Sequence, residues 1–71
     1  KTLENTEIHD KLIAMLTDQS QQVRKNTALA LMKMEAVNSI EEIQHALKVE
    51  PNDQVKTVMI VAINQLEKLI D

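Results

Sequence analysis

The chain lacks cysteine, glycine and every aromatic residue, and Pro51 is its only proline. Without cysteine it can form neither disulfides nor thiolate metal sites. Without glycine it cannot build the tight hairpin turns and phosphate-cradling loops that depend on that residue. Without aromatic residues it has no side chain that stacks on an unpaired nucleic-acid base. These absences disfavour β-hairpin folds, thiolate metal centres and nucleotide-binding loops.

Long hydrophobic runs and strong charge are missing as well. The longest apolar run, residues 58–63, is too short to cross a bilayer. No signal-peptide pattern opens the chain, so we expect a cytoplasmic location and no membrane partner. The net charge of −3 argues against non-specific nucleic-acid binding. Because the sequence starts at Lys1 rather than at methionine, we expect either a fragment of a longer protein or a processed chain.

The residues that are abundant favour helices. Leu, Ile, Ala, Met, Glu, Gln and Lys dominate the 71 residues, and most of them have high helix propensity. Apolar periodicity predicts helices at about residues 7–16, 21–34, 39–49 and 53–69. We expect side-chain caps at their starts, from Thr6, Ser20, Asn38 with Glu41 in a capping box, and Asn52. Residues 58–63 alone could form a buried strand, but the preceding cap and the continuing helical period favour a helix.

An internal repeat relates the two halves of the chain. One apolar face of the second helix returns 32 residues later in the fourth: Val23, Thr27, Ala30, Leu31 and Met34 match Val55, Met59, Ala62, Ile63 and Leu66. The first and third helices present shorter apolar stripes, Ile8, Leu12, Met15 and Leu16 in one and Ile40, Ile43 and Leu47 in the other. A period of this length is typical of solenoids, in which each repeat buries its apolar face against the next. The predicted fold is therefore all-α, with two antiparallel helical hairpins stacked on each other.

The two copies resemble HEAT repeats, of the short kind found in phycobilisome-lyase-type HEAT-like proteins. In the first copy the similarity runs from Ile8 through Asp18 and Arg24 to Leu31, and it recurs from Ile40 to Ile63. The resemblance implies one domain over residues 1–71, a short HEAT-like α-solenoid with repeats at about 6–35 and 38–70. It also implies inter-repeat ion pairs among Asp18, Arg24, Glu50 and Lys56. Thr27 and Met59 depart from the pattern, since a small alanine is usual there, and no glycine closes the second or fourth helix.

No catalytic or metal-binding arrangement stands out. His9 and His45 have no second histidine at helical spacing, so we interpret both as surface residues and expect no metal. The acids Glu4, Glu7, Asp10, Glu41 and Glu42 read as solvated helix faces, and Thr17 and Ser20 have no matching base. We therefore expect no enzyme activity and no cofactor in this chain.

The expected function is that of a protein-interaction or scaffold module. Off the core stripes, the predicted contact surface comprises Lys25, Asn26, Leu29 and Lys33 on the second helix and Thr57, Val61, Asn64 and Lys68 on the fourth. The fourth helix is apolar almost all round, so it is either central to a small bundle or docked on another protein, a neighbouring repeat or a second copy in a homodimer. The resemblance leaves two alternatives open: an auxiliary part of a bilin lyase or isomerase, and, more weakly, a nucleic-acid-binding HEAT-like module.

Overall fold

The computed structural model describes residues 5–70, with the side chains of residues 5 and 6 left aside, and contains four α-helices. These are α1 (Asn5–Met15), α2 (Gln21–Lys33), α3 (Ile40–Val49) and α4 (Asp53–Lys68), with a 3-10 turn at Val37–Ser39 before α3. No strand occurs among these residues, and residues 58–63 are helical. The all-α prediction is confirmed, and each helix boundary falls within about two residues of the expected one.

Two of the predicted helix caps form as expected. The Ser20 hydroxyl accepts a hydrogen bond from the Val23 N–H at 3.3 Å, and Asn52 Oδ1 accepts one from the Val55 N–H at 3.0 Å. Both caps satisfy a backbone donor that the first helical turn leaves unpaired. The equivalence of the two hairpins therefore extends to the residues that start α2 and α4.

The predicted capping box of Asn38 and Glu41 is wrong. Asn38 lies inside the 3-10 turn, and α3 begins at Ile40 without a side-chain cap. Ser39 is fully buried, and its hydroxyl donates to the Ala36 carbonyl at 2.6 Å instead of capping the helix. The 3-10 turn thus supplies the bonds that a capping side chain would otherwise make. The expected cap at Thr6 involves a side chain outside the described residues.

Helix α2 ends in a Schellman motif without glycine. The Ala36 N–H donates to the Leu31 carbonyl and the Glu35 N–H to the Met32 carbonyl, both at 3.0 Å. These bonds require the residue after the cap Met34 to be left-handed, and Glu35 has φ 56°. A Cβ in that region is sterically unfavourable, so Glu35 stores backbone strain.

The core lies between α2, α3 and α4. Helix α4 packs most extensively on α2 and then on α3, and α1 is held mainly by α2. The buried apolar residues are Leu16, Ala28, Leu31, Ile43, Ala46, Val55, Met59, Ala62, Ile63 and Leu66. Thr27 is also buried, where its hydroxyl donates to the Val23 carbonyl at 2.6 Å. The apolar stripe of α4 is thus buried as predicted.

Other predicted core positions are wrong. Met34 is 52% exposed, and it is the C-cap residue, after the last helical residue of α2. Ile8 and Met15 are also exposed, because α1 packs mainly on α2 and turns part of its apolar face toward solvent. Ala28, outside the predicted stripe, is fully buried instead.

The fourth helix is not buried all round. The side chains of Ile60, Val61 and Leu69 are exposed to solvent, although the opposite face of α4 is buried. This contradicts the interpretation of α4 as a central helix surrounded by its own chain. No helix in the described part of the chain is long and apolar enough to span a membrane.

We expect Glu35→Gly to raise the free energy of unfolding by roughly 0.5–1 kcal/mol, because glycine adopts a positive φ without a steric penalty. Glu35→Ala keeps the Cβ and is the matched control, for which no comparable gain is expected. Urea unfolding followed by circular dichroism measures both. Equal stability of the two variants would show that the left-handed residue is not strained.

Candidate functional site

An ion pair joins the two hairpins at their loops. The Arg24 guanidinium, in the first turns of α2, meets the Glu50 carboxylate just before Pro51 in two parallel contacts. Nε lies 2.7 Å from Oε1, and Nη2 lies 3.0 Å from Oε2. The side chains are only 12% and 1% exposed. Two-point pairing of this kind fixes orientation as well as distance.

The same guanidinium also holds the first loop. Arg24 Nη1 donates to the backbone carbonyls of Asp18 at 2.7 Å and Gln19 at 3.0 Å. On the other side, Glu50 Oε2 accepts the Asn52 N–H at 3.1 Å, and Asn52 Nδ2 donates to Gln21 Oε1 at 2.9 Å. The loop of each hairpin is therefore bonded to the other through a single polar cluster.

The environment of Glu50 acts on its pKa in opposite directions. Burial alone would raise the pKa, because it disfavours the charged form. The hydrogen bonds from Arg24 and the Asn52 N–H, with the positive charges of Arg24 and Lys56, outweigh that effect and leave the pKa of Glu50 below its ordinary value. Glu50 is thus a buried carboxylate held ionised by its partners, which is a structural rather than an acid–base role.

The other two members of the predicted ion-pair set are placed differently. Asp18 contacts Arg24 only through its backbone carbonyl, and its Oδ1 accepts the Ser20 N–H at 2.8 Å. Lys56 Nζ lies 4.0 Å from Asp53 Oδ1, on the exposed side of α4. Among these four residues, one inter-repeat ion pair forms, between Arg24 and Glu50. Asp18 is left at the first-hairpin end of the stack, and Lys56 is left at the second-hairpin end.

A groove of about 530 Å³ separates α1 from α3. It exists because these two helices share little contact while α2 and α4 pack closely. Its lining residues are Ile13, Ala14, Leu16, Thr17, Glu41, Glu42, His45 and Ala46. The groove is thus apolar at its base and carries carboxylates and an imidazole along the α3 side.

Two polar atoms on these helices are enclosed without a hydrogen-bond partner, Glu42 Oε1 on α3 and His9 Nε2 on α1. Glu42 lines the groove, and His9 lies one helical turn before Ile13, which also lines it. The prediction that His9 is a surface residue is wrong, since its side chain is 20% exposed and only its Nδ1 approaches a partner, Asp10, at 3.9 Å. An enclosed acceptor without a donor is unfavourable, which makes Glu42 a candidate ligand contact.

The predicted contact surface on α2 and α4 is accessible. Its exposed members are Asn26, Lys33, Thr57, Val61, Asn64 and Lys68, and Lys25 and Leu29 are half-buried.

Sequence reasoning placed no functional residue in the α1–α3 groove, because Glu42 and His45 looked like ordinary solvated positions. Only the separation of two helices that are distant in sequence reveals the groove.

Within residues 5–70, no group of three or more acids and histidines could hold a metal ion.

Comparison with known proteins finds one informative similarity. The chain is 52% identical over 68 residues to the bilin biosynthesis protein MpeU of Synechococcus sp. (strain WH8020). The match covers 96% of this chain but 23% of the relative, so the chain spans about a quarter of the length of the protein it matches. No family model matches the chain, and no solved structure matches it. The HEAT-like classification therefore stays a prediction.

We expect Glu50→Gln to lower the free energy of unfolding by roughly 1.5–3 kcal/mol, because it removes the charge from a buried hydrogen-bonded pair. Glu67→Gln, on the exposed end of α4, is the control and should change stability by less than about 0.5 kcal/mol. Chemical unfolding at pH 7 compares the two variants with the original chain. A Glu50→Gln loss no larger than that of Glu67→Gln would contradict a structural role for the pair.

The pH dependence of stability tests the same pair. The pKa of Glu50 is lower in the folded chain than the value of about 4.3 for an unfolded glutamate. Its stabilising contribution is therefore complete above that pH and is lost as the pH falls through the folded-state pKa. The stability gap between the original chain and Glu50→Gln should narrow on acidification below about pH 4.3. A gap that stays constant would show that ionisation of Glu50 does not stabilise the fold.

Proposed function

We propose that this chain is a structural helical-repeat segment of a bilin-biosynthesis protein of the lyase or isomerase type. The observation that carries the proposal is the 52% identity to a bilin biosynthesis protein across 96% of the chain. In this role the segment contributes a rigid surface, and groups that change the bilin covalently lie elsewhere. In this proposal the segment acts as a scaffold within a bilin-biosynthesis protein.

The fold supports a surface role. Stacked helical hairpins act through the faces that they present, because each hairpin is held by its neighbours rather than folded around a closed pocket. Here the buried carboxylate Glu50, whose pKa is lowered, is bonded to Arg24 and to the Asn52 backbone N–H. It therefore serves the architecture rather than contact with a substrate.

The α1–α3 groove is the site at which we propose that this segment contacts a bilin. Open-chain tetrapyrroles have apolar ring edges, pyrrole N–H donors and propionate carboxylates. The base of the groove offers apolar side chains such as Ile13, and its volume of about 530 Å³ falls in the range of small-molecule sites. Glu42 Oε1 has no donor in the folded chain and can accept a pyrrole N–H when its side chain turns into the groove that it lines.

Charge sets the orientation of such a ligand. Glu41 and Glu42 both line the α3 side, so the anionic propionates would be repelled from that wall and directed to solvent. The pyrrole nitrogens would then face α3. This arrangement uses the groove for positioning, which is the auxiliary role that we propose.

A titration with biliverdin tests the site. The protein has no chromophore in the visible range, so an induced circular-dichroism band of the pigment reports binding directly. We expect Glu42→Ala to weaken binding about tenfold, the effect of losing roughly 1.4 kcal/mol from one hydrogen bond to a charged group. Glu67→Ala, on α4 and outside the groove, is the matched control and should bind like the original chain. Thermal unfolding confirms that both variants stay folded.

Two results would contradict the proposal at different levels. Absence of an induced band at any soluble pigment concentration would remove bilin contact from this segment. A normal band that Glu42→Ala leaves unchanged, but that Lys33→Ala weakens, would move the contact to the exposed surface of α2 and α4. The second result would keep the proposed function and reject only the groove.

A further inference from the structure

The outer face of α4 repeats a surface that is covered elsewhere in the same molecule. Ala28 on α2 is fully buried, and it lies one helical turn after Arg24, which pairs with Glu50 of the second hairpin. Its equivalent 32 residues later is Ile60, which is 45% exposed. A larger apolar residue is therefore left open at the position where the first hairpin is sealed by the second. The far side of the second hairpin therefore presents the same kind of surface that the first hairpin uses to bind the second.

The polar contacts of that interface are also reproduced in register. Gln21 supplies an oxygen to the Asn52 amide, and its equivalent, Asp53, is again an oxygen acceptor. Arg24 supplies a cation to Glu50, and its equivalent, Lys56, is again a cation. Acceptor, cation and apolar residue thus recur in the same order and spacing along α4.

We infer that the outer face of α4 docks a further helical hairpin of the same repeat class. That hairpin has a carboxylate at the place of Glu50 and an amide or hydroxyl cap at the place of Asn52 in its connecting loop. The carboxylate pairs with Lys56, and the cap donates to Asp53. An apolar helix stripe covers Ile60. The inference is independent of bilin binding, because it depends only on the internal register.

The residues that differ between the equivalent faces of α2 and α4 determine how the second interface differs from the first. Lysine is a point charge that cannot make the two-point contact of arginine, so the pair at Lys56 fixes orientation less tightly. Isoleucine in place of alanine keeps the incoming helix further away but adds apolar surface. Lys56 has only a 4.0 Å approach to the exposed Asp53, and both side chains can turn toward a new partner.

A lengthened chain tests the docking. It consists of residues 1–68 followed by a second copy of residues 37–70, which preserves the 32-residue register and places a copy of Glu50 opposite Lys56. We expect one cooperative thermal transition at a higher temperature than that of the original 71-residue chain. Repeat arrays become more stable as neighbours are added, because each interface is shared.

Substitutions compared in both chains locate the interface. Ile60→Gln should lower the midpoint of the lengthened chain by roughly 4–8 °C more than that of the original chain, where the residue faces water. Lys56→Gln should act in the same direction with a smaller shift. Gln54→Ala is the control. The equivalent Gln22 stays exposed although α4 packs on α2, so the same shift is expected in both chains.

Two outcomes would overturn the inference. In the first, the added hairpin melts separately and Ile60→Gln has the same effect in both chains, so that no docking occurs on this face. In the second, sedimentation of the original chain shows a stable dimer that Ile60→Gln disrupts, which would assign the face to a second copy.

Discussion

The two-point ion pair between Arg24 and Glu50 is the contact on which the arrangement of the two hairpins depends. It joins the start of α2 to the residue before Pro51, and the same guanidinium holds two carbonyls of the first loop. Both side chains are removed from water, so the pair is favourable only because nearly every donor and acceptor in it is matched. The apolar core supplies non-directional attraction, and this cluster fixes the register at which α4 lies on α2.

The sequence predicted the helices and the apolar stripe of α4 because these features are local. Ser20 and Asn52 have the chemistry of helix caps, and a repeat of 32 residues makes each half evidence for the other. Positions near helix ends were less predictable. Asn38 looked like a cap, but the 3-10 turn shifted the start of α3 to Ile40, and Met34 continued a helical stripe past the point where the helix stops.

The candidate site was predicted only in part for a different reason. Asp18, Arg24, Glu50 and Lys56 could be identified by their spacing, but which acid meets which base depends on how the hairpins stack. Glu42 and His45 could not be identified, because the groove that they line is produced by a distance between α1 and α3. That distance depends on how the two hairpins stack, which no local sequence pattern records.

The unequal contact between the two helix layers has a geometric consequence. Since α2 and α4 lie close together while α1 and α3 are held apart, the two hairpins diverge toward the α1 and α3 side. Hairpins stacked in succession at such an angle would not form a straight rod but an arc, with the α2 and α4 side at its inner radius. Clefts such as the one between α1 and α3 would then open at regular intervals around the outer rim, so the number of hairpins would determine both the bend and the number of clefts.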